Sequence, residues 1–263
     1  MSSDNPIEVE YSRDGRAAHI RLNRPEKNNA LDTETVRQLR EAVETIETDD
    51  SVRVATIRGA GGNFSAGADL ASLEDSIQAG NREAVEEFLA EVQHALTGLS
   101  NLPVPVIAIV EGFALAGGIE TLLACDLAIA SDDAVIGDQH ANYGLIGGGG
   151  STQRLARIVG TRKAKELIFT GSRIDGAQAS DIGLVNRIAP PDELDEQAEQ
   201  FVDEIATKGR QTTETAKHLV ETSQSTDLET GLELERAVVS SHLFSEDAQE
   251  GLAAFKEGRE PDF

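Results

Sequence analysis

The segment Gly112-Phe-Ala-Leu-Ala-Gly-Gly-Ile-Glu120 has the residue types and spacing that most clearly predict chemistry. It joins a strand-like run at 104–110 to an apolar, helix-like run at 121–125. A glycine pair at a helix start leaves backbone N–H groups uncovered, and the helix dipole adds positive potential there. The segment therefore predicts an oxyanion site with the Glu120 carboxylate beside it. The alternative is a closely packed turn whose acid is placed only by the dipole.

Two further glycine-rich segments have the same character. Gly61-Gly-Asn-Phe-Ser-Ala-Gly-Ala-Asp69 follows a strand-like run at 52–58. Two strand ends that each offer an uncovered amide suit an acyl oxygen that becomes enolate-like during a reaction. The other is Gly144-Leu-Ile-Gly-Gly-Gly-Gly150 before Ser151, where glycines cap another helix start. Just before it, in Gly137-Asp-Gln-His140, Asp138 and His140 are two residues apart, so they share a face if the stretch is extended.

The composition is strongly acidic. The 263 residues include 23 Lys+Arg and 47 Asp+Glu, which gives a net charge of −24. Such a surface repels phosphate groups, so we expect neither nucleic acid nor an anionic membrane as a partner. With few lysines and no tryptophan, the composition is typical of a halophilic protein that stays dissolved in concentrated salt. An acidic protein from a mesophile is the alternative.

The remaining composition predicts a cytoplasmic, metal-free protein. The single cysteine, Cys125, excludes an internal disulfide and a cysteine-based metal site. The five histidines show no ligand spacing. The first residues do not resemble a signal peptide, and no apolar run approaches the roughly 18 residues of a membrane span.

The order of elements predicts an α/β core followed by helices. A hairpin is indicated around Asp14-Gly15, and a helix with Asp32 as its N-cap over 32–48. Strand-like and helix-like runs then alternate, which favours crossover connections. After Pro190-Pro191 only acidic helical runs remain, and their apolar residues must pack on the core or on another subunit.

Several motifs in this order resemble the crotonase superfamily, the enoyl-CoA hydratases and isomerases. The resemblance runs from about residue 7 to the last residue. Besides the segments at 64–69 and 112–120, it rests on Asn23-Arg-Pro25, Asn29-Ala-Leu31, Gly149-Gly-Ser-Thr-Gln-Arg-Leu155, Thr170-Gly171, Gly183-Leu-Val185, Gly251-Leu-Ala-Ala-Phe255 and Arg259-Glu-Pro-Asp-Phe263. It implies an α/β core at 1–191, a crotonase-like spiral of repeated β-β-α units. It also implies an all-helical trimerisation region at 192–263 and a homotrimer or dimer of trimers.

The resemblance also implies a site. The backbone N–H groups of Ala68 and Gly117 would form an oxyanion hole for the thioester carbonyl of an acyl-CoA, and Glu120 would activate water. Coenzyme A is part of the substrate, so no separate cofactor is expected. The implied substrate- or CoA-binding positions are Arg24, Lys27, Ala66, Asp69, Gly118 and Tyr143. Each assignment has an alternative. The two cations could be solvated surface charges, Asp69 could be a helix N-cap, and Tyr143 could be an aromatic residue of the core.

One position departs from the family pattern. Hydratases of this family carry a second glutamate where this chain has His140. Imidazole has an ordinary pKa near 6.5 and can donate or accept a proton, so His140 oriented by Asp138 can replace that acid. The sequence favours hydration of a trans-2-enoyl-CoA. The alternative enzymes are an acyl-CoA hydrolase and an enoyl-CoA isomerase. His140 could also be a non-catalytic pocket residue, and a CoA- or RNA-binding protein without catalysis is a further alternative.

Overall fold

The computed structural model describes residues 5–263, with only the backbone of Ser72. Its strands are β1 Ile7–Ser12, β2 Ala17–Leu22, β3 Val54–Gly59, β4 Val106–Val110, β5 Phe113–Leu115, β6 Leu127–Ser131, β7 Val135–Gly137, β8 Ile174–Asp175 and β9 Arg187–Ala189. Its helices are α1 Thr33–Glu47, α2 Glu74–Gln78, α3 Arg82–Asn101, α4 Gly117–Leu122, α5 Ser151–Ile158, α6 Thr161–Thr170, α7 Gly176–Asp181, α8 Leu194–Ala206, α9 Arg210–Thr222, α10 Leu228–His242 and α11 Glu246–Glu257.

The strands form two sheets. The larger has the order β1-β2-β3-β4-β6-β9 and the smaller β5-β7-β8. Only β1–β2 and β7–β8 pair antiparallel, so most connections are crossovers, as the alternating pattern predicts. The predicted hairpin at Asp14-Gly15 is confirmed, with Ser12 paired to Ala17. The predicted N-cap is also confirmed, because the Asp32 side chain accepts the Thr35 N–H at 2.8 Å.

Helices cover both faces of the larger sheet. All five residues of β4 are buried, which is expected for a central parallel strand. The main hydrophobic core joins one sheet face to α1 and α3, whereas a second cluster joins Ile107, Ile109 and Ile129 to Phe201 and Val202. Helix α8, the first after residue 191, is therefore part of the sheet packing.

The last three helices leave large apolar side chains exposed. On the helices these residues are Val220, Leu228, Leu232, Val239, Leu252 and Phe255, and Leu243 and Phe244 are exposed between α10 and α11. Exposed apolar area of this kind is typical of a subunit interface, so a homotrimer or dimer of trimers stays our prediction. Across residues 5–263, none of the helices has the length and apolar character that a membrane span requires.

The loop after β3 is joined to β5, and this contact builds the site. Ser65 donates its N–H to the Phe113 carbonyl at 3.0 Å and accepts the Leu115 N–H at 2.9 Å. On the other side, the Leu31 N–H binds the Gly67 carbonyl at 2.8 Å. Residues 61–69 and 112–120, which are distant in sequence, are therefore adjacent in space.

Candidate active site

The backbone N–H groups of Ala68 and Gly117 lie close together. A Cβ added to Gly117 would be 3.1 Å from the Ala68 nitrogen, and one added to Gly67 would be 2.6 Å from the Gly117 nitrogen. Within the described residues, neither N–H donates a hydrogen bond to the protein. Gly117 is the first residue of α4, where N–H groups have no acceptor in the helix. Two adjacent donors thus remain available for an oxyanion.

Ala116 makes the bend that turns β5 into α4. Its backbone has φ +49° and ψ −116°, a conformation that an alanine rarely adopts. The Ala116 N–H is fixed to the Gly137 carbonyl at 3.0 Å. A non-glycine residue in such a conformation stores about 1–3 kcal/mol, and strain of this kind is concentrated at functional sites. The bend sets the position at which the Gly117 N–H enters the site.

Glu120 lies in the first turn of α4 and is only 3% exposed. Its Oε1 accepts the N–H of Gly149 at 2.8 Å and that of Ser151 at 3.2 Å, at the start of α5. Burial raises the pKa of the Glu120 carboxyl, although these N–H groups and His140 partly oppose the rise. A fixed carboxylate with a raised pKa has the properties of a general base.

The chain passes very close to this carboxylate at two glycines. A Cβ on Gly149 would be 2.7 Å from Glu120 Oε2, and one on Gly147 would be 2.7 Å from Oε1. The same Cβ on Gly147 would be 2.2 Å from Ser151 Oγ and 3.1 Å from His140 Cε1. A glycine at 147 therefore leaves room for three polar side chains at once.

This crowding predicts the effect of Gly147→Ala. The added methyl group overlaps Ser151 and Glu120, so we expect the free energy of unfolding to fall by about 1–3 kcal/mol. Urea denaturation of the two proteins measures the difference. The double variant with Ser151→Gly recovers part of the loss, because the nearest overlap is gone. Equal stability of Gly147→Ala and the wild type would contradict the close packing.

Asp138 and His140 meet through a tight turn. The carboxylate Oδ1 and the ring Nδ1 are 3.1 Å apart, and Asp138 is 1% exposed. The stretch is not extended, because Gln139 adopts φ +61° and His140 donates its N–H to the Asp138 carbonyl at 2.8 Å. The Gln139 side chain holds this turn by donating to the Gly171 carbonyl at 2.5 Å.

The two groups shift each other's pKa in opposite directions. Burial lowers the pKa of the His140 imidazole, but the Asp138 carboxylate, assisted by Glu120, more than offsets it, so this pKa lies above its ordinary value. Burial raises the pKa of Asp138, yet contacts with His140 and the Ser151 hydroxyl keep it below its ordinary value. Each group therefore favours the charged form of the other.

Two cavities meet at this point. The larger, of about 260 Å³, contains most of the polar lining, including Gln139, Tyr143 and Arg173. The smaller, of about 150 Å³, is mainly apolar, with Glu120 and Gly117 on its wall. Both cavities are lined by Ala68, Leu70, His140 and Leu145. The paired amides, the carboxylate and the imidazole thus border two neighbouring cavities.

The other predicted binding residues lie in varied surroundings. Ala66 lines the larger cavity. Gly118 is packed against the protein, since a Cβ there would be 2.2 Å from the Ser65 carbonyl oxygen. The Tyr143 side chain lies at the larger cavity and is 75% exposed, so the aromatic core role was wrong.

The two predicted cations differ. Arg24 donates to the Ala30 carbonyl at 2.6 Å and lies 3.0 Å from Asp32 Oδ2 and 3.3 Å from Asp69 Oδ2. Its guanidinium therefore joins the loop at 61–69 to the start of α1. Lys27 is exposed on the 3-10 turn Pro25–Lys27.

Sequence reasoning missed four residues of the site. Gly149 and Ser151 supply the N–H groups that hold Glu120, and Gln139 and Arg173 fix the turn before His140. The glycine-rich helix start at 144–151 was a signal for the first two. Arg173 gave no signal, because its contact with Gln139 spans 34 residues.

The fold brings two uncovered amides, the Glu120 carboxylate and the His140 imidazole to neighbouring cavities, an arrangement suited to an enzyme. The family model described as enoyl-CoA hydratase/isomerase matches residues 13–263. The mouse enoyl-CoA hydratase domain-containing protein 2, mitochondrial, is 39% identical, covering 93% of this chain and 83% of its own. Crystal structures of enoyl-CoA hydratases from Bacillus anthracis and Mycobacterium smegmatis are 36% and 32% identical. Each has a TM-score of 0.92 and covers 98% of both chains.

The chain belongs to the enoyl-CoA hydratase/isomerase family of the crotonase superfamily. The α/β fold implied by the resemblance is confirmed by these structural neighbours.

Proposed function

We propose that the protein is a hydro-lyase that adds water across the 2,3 double bond of a trans-2-enoyl-CoA. One observation carries the proposal: Glu120 and His140 line the same small apolar cavity as Ala68 and Gly117, whose N–H groups have no acceptor in the described protein. A base, an acid and an oxyanion site are therefore gathered around a space that suits an acyl chain.

The two cavities suggest how the substrate lies. With the thioester carbonyl at the N–H groups of Ala68 and Gly117, the acyl chain fits the smaller cavity, whose walls include Phe88 and Val92. The pantetheine arm of coenzyme A then follows the larger cavity, which offers polar contacts at Gln139 and Arg173. This assignment matches the polarity of each half of the substrate.

The proposed reaction is a stepwise addition of water through an enolate. Glu120 takes a proton from water as the water oxygen bonds to C3, and the electron pair of the double bond moves onto the thioester oxygen. The Ala68 and Gly117 N–H groups stabilise this enolate. His140 then donates its proton to C2 and the carbonyl re-forms. Transfer of the proton from Glu120 to His140 restores both groups, so one water molecule is consumed.

Product identification tests the proposal. The full-length protein is incubated in concentrated salt with crotonyl-CoA, with a trans-3-enoyl-CoA and with a saturated acyl-CoA, and the products are separated by mass spectrometry. We expect 3-hydroxybutyryl-CoA from the first substrate. A shifted double bond as the main product would instead indicate an isomerase, and free coenzyme A from the saturated ester would indicate a hydrolase.

His140→Gln tests the acid role. Glutamine keeps a polar side chain, but its amide cannot act as a general acid. We therefore expect kcat for hydration to fall about 10²-fold. His94→Gln, at an exposed position on α3, is the matched control. Hydration of crotonyl-CoA, followed by the loss of enoyl absorbance, gives both rates. An unchanged kcat for His140→Gln would mean that His140 only lines the pocket.

A further inference from the structure

We infer that Asp138 is a positioning residue that keeps His140 protonated and aimed at the substrate cavity. The proton donor of this site is then an aspartate–imidazolium pair in place of a carboxylic acid. The inference rests on the proposed function in one respect, namely that hydration needs a donor at C2. The geometry of the pair can be tested without substrate.

The burial and location of Asp138 support its role as a positioning residue. It directly follows β7 and is almost fully buried. Neither of its carboxylate oxygens has a well-aligned hydrogen bond in the described protein, and the His140 ring, which is a cation when protonated, lies within ion-pair distance. An isolated buried carboxylate costs several kcal/mol, so its burial favours a charged partner.

The two ring nitrogens of His140 have different surroundings. Nδ1 is buried and lies 3.1 Å from Asp138 Oδ1. Because the ring lines both cavities, Nε2 is the nitrogen left for the substrate. A carboxylate at one nitrogen fixes the ring orientation and makes the other nitrogen the donor. Proton transfer from Nε2 to C2 therefore follows from this arrangement.

The backbone fixes the pair in place. The left-handed conformation of Gln139 brings residues 138 and 140 together, and Gln139 is bonded to Gly171 and to Arg173 Nε at 3.0 Å. On the opposite side, the absence of a side chain at Gly147 leaves space for the ring. The position of the imidazole is therefore set before substrate binds.

The charged groups that act on His140 are Asp138, after β7, and Glu120, on α4. Burial opposes protonation of the ring, whereas both carboxylates favour it. Of the two carboxylates, Asp138 is the one in direct contact with the His140 ring. Neutralising Asp138 removes this support while the burial remains, so the imidazole loses its proton at a lower pH.

Asp138→Asn is the test, because asparagine has nearly the same shape without the charge. The His140 ring is titrated by NMR in the full-length protein, and its signal is assigned by comparison with His140→Gln. We expect the His140 titration to move to lower pH in Asp138→Asn. Asp192→Asn, which removes one charge from an exposed turn, is the matched control and leaves the titration unchanged.

The rate of hydration supplies a second readout. The rate requires ionised Glu120, so it rises with pH through that pKa, and it requires protonated His140, so it falls through the His140 pKa. In Asp138→Asn we expect the falling limb at lower pH, kcat reduced about 10- to 100-fold and KM nearly unchanged.

The outcomes separate the hypotheses. An unmoved His140 titration in folded Asp138→Asn would overturn the inference, even if the protein is a hydratase. A loss of activity without any shift of the falling limb would also overturn it, since a purely structural role predicts that result. If the wild type does not hydrate enoyl-CoA, the proposed function fails, whereas the NMR titration still decides whether Asp138 holds the proton on His140.

Discussion

Replacing Glu120 with glutamine is expected to lower kcat for crotonyl-CoA hydration by about 10³- to 10⁴-fold. The amide oxygen can still accept the N–H groups of Gly149 and Ser151, so the side chain keeps its place. An amide cannot take a proton from water, however. The variant removes the proposed base and leaves the proposed oxyanion hole and the cavity intact.

Initial rates over a range of crotonyl-CoA concentrations measure the effect, and a binding experiment with a saturated acyl-CoA checks that the pocket is preserved. Glu47→Gln, at the exposed end of α1, makes the same chemical change far from the site and retains the wild-type rate. If Glu120→Gln stayed within about tenfold of the wild type, the base would have to be another group.

Removal of one oxyanion donor should have the second-largest effect. Gly117 is the first residue of α4, a position at which proline is compatible with a helix and its ring replaces the N–H group. We expect Gly117→Pro to reduce kcat about 10²- to 10³-fold relative to Gly117→Ala, as is typical for loss of one such donor.

Gly117→Ala is the necessary control, because any side chain here approaches the Gly67 Cα at 3.0 Å and the Ala68 nitrogen at 3.1 Å. Alanine and proline share the crowding at Cβ, whereas proline also lacks the N–H group and adds the rest of its ring, which restricts Ala116. Thermal unfolding establishes that both variants are folded. Equal rates for the two variants would assign the loss to crowding, and the Gly117 N–H would not be an oxyanion donor.

Local patterns predicted much of the framework. The turn at Asp14-Gly15 and the Asp32 cap depend on neighbouring residues, and both are confirmed by the structure. The placement of Glu120 in the first turn of a helix is likewise confirmed. The glycine-rich segments at 61–69 and 112–120 indicated uncovered amides, because helix starts and tight turns leave such groups unpaired wherever they occur.

Long-range contacts decided the rest. Helix α8 packs on the larger sheet because Phe201 and Val202 contact strands that are distant in the sequence. The conformation of Gln139 could not be predicted, since it is fixed by Gly171 and Arg173, more than 30 residues later. The same holds for the N–H groups of Gly149 and Ser151, whose acceptor is Glu120 on another helix.

By itself, the sequence indicated the kind of chemistry, because a glycine pair at a helix start and a nearby carboxylate are visible in residue order, and the family resemblance implies a histidine in place of an acid. Only the tertiary structure decided how these groups work together. It brought Ala68 to Gly117, directed two N–H groups at Glu120 and buried Asp138 against His140. The reason is physical: hydrogen-bond partners and desolvation depend on what the folded chain places around a group, and they determine its pKa and direction.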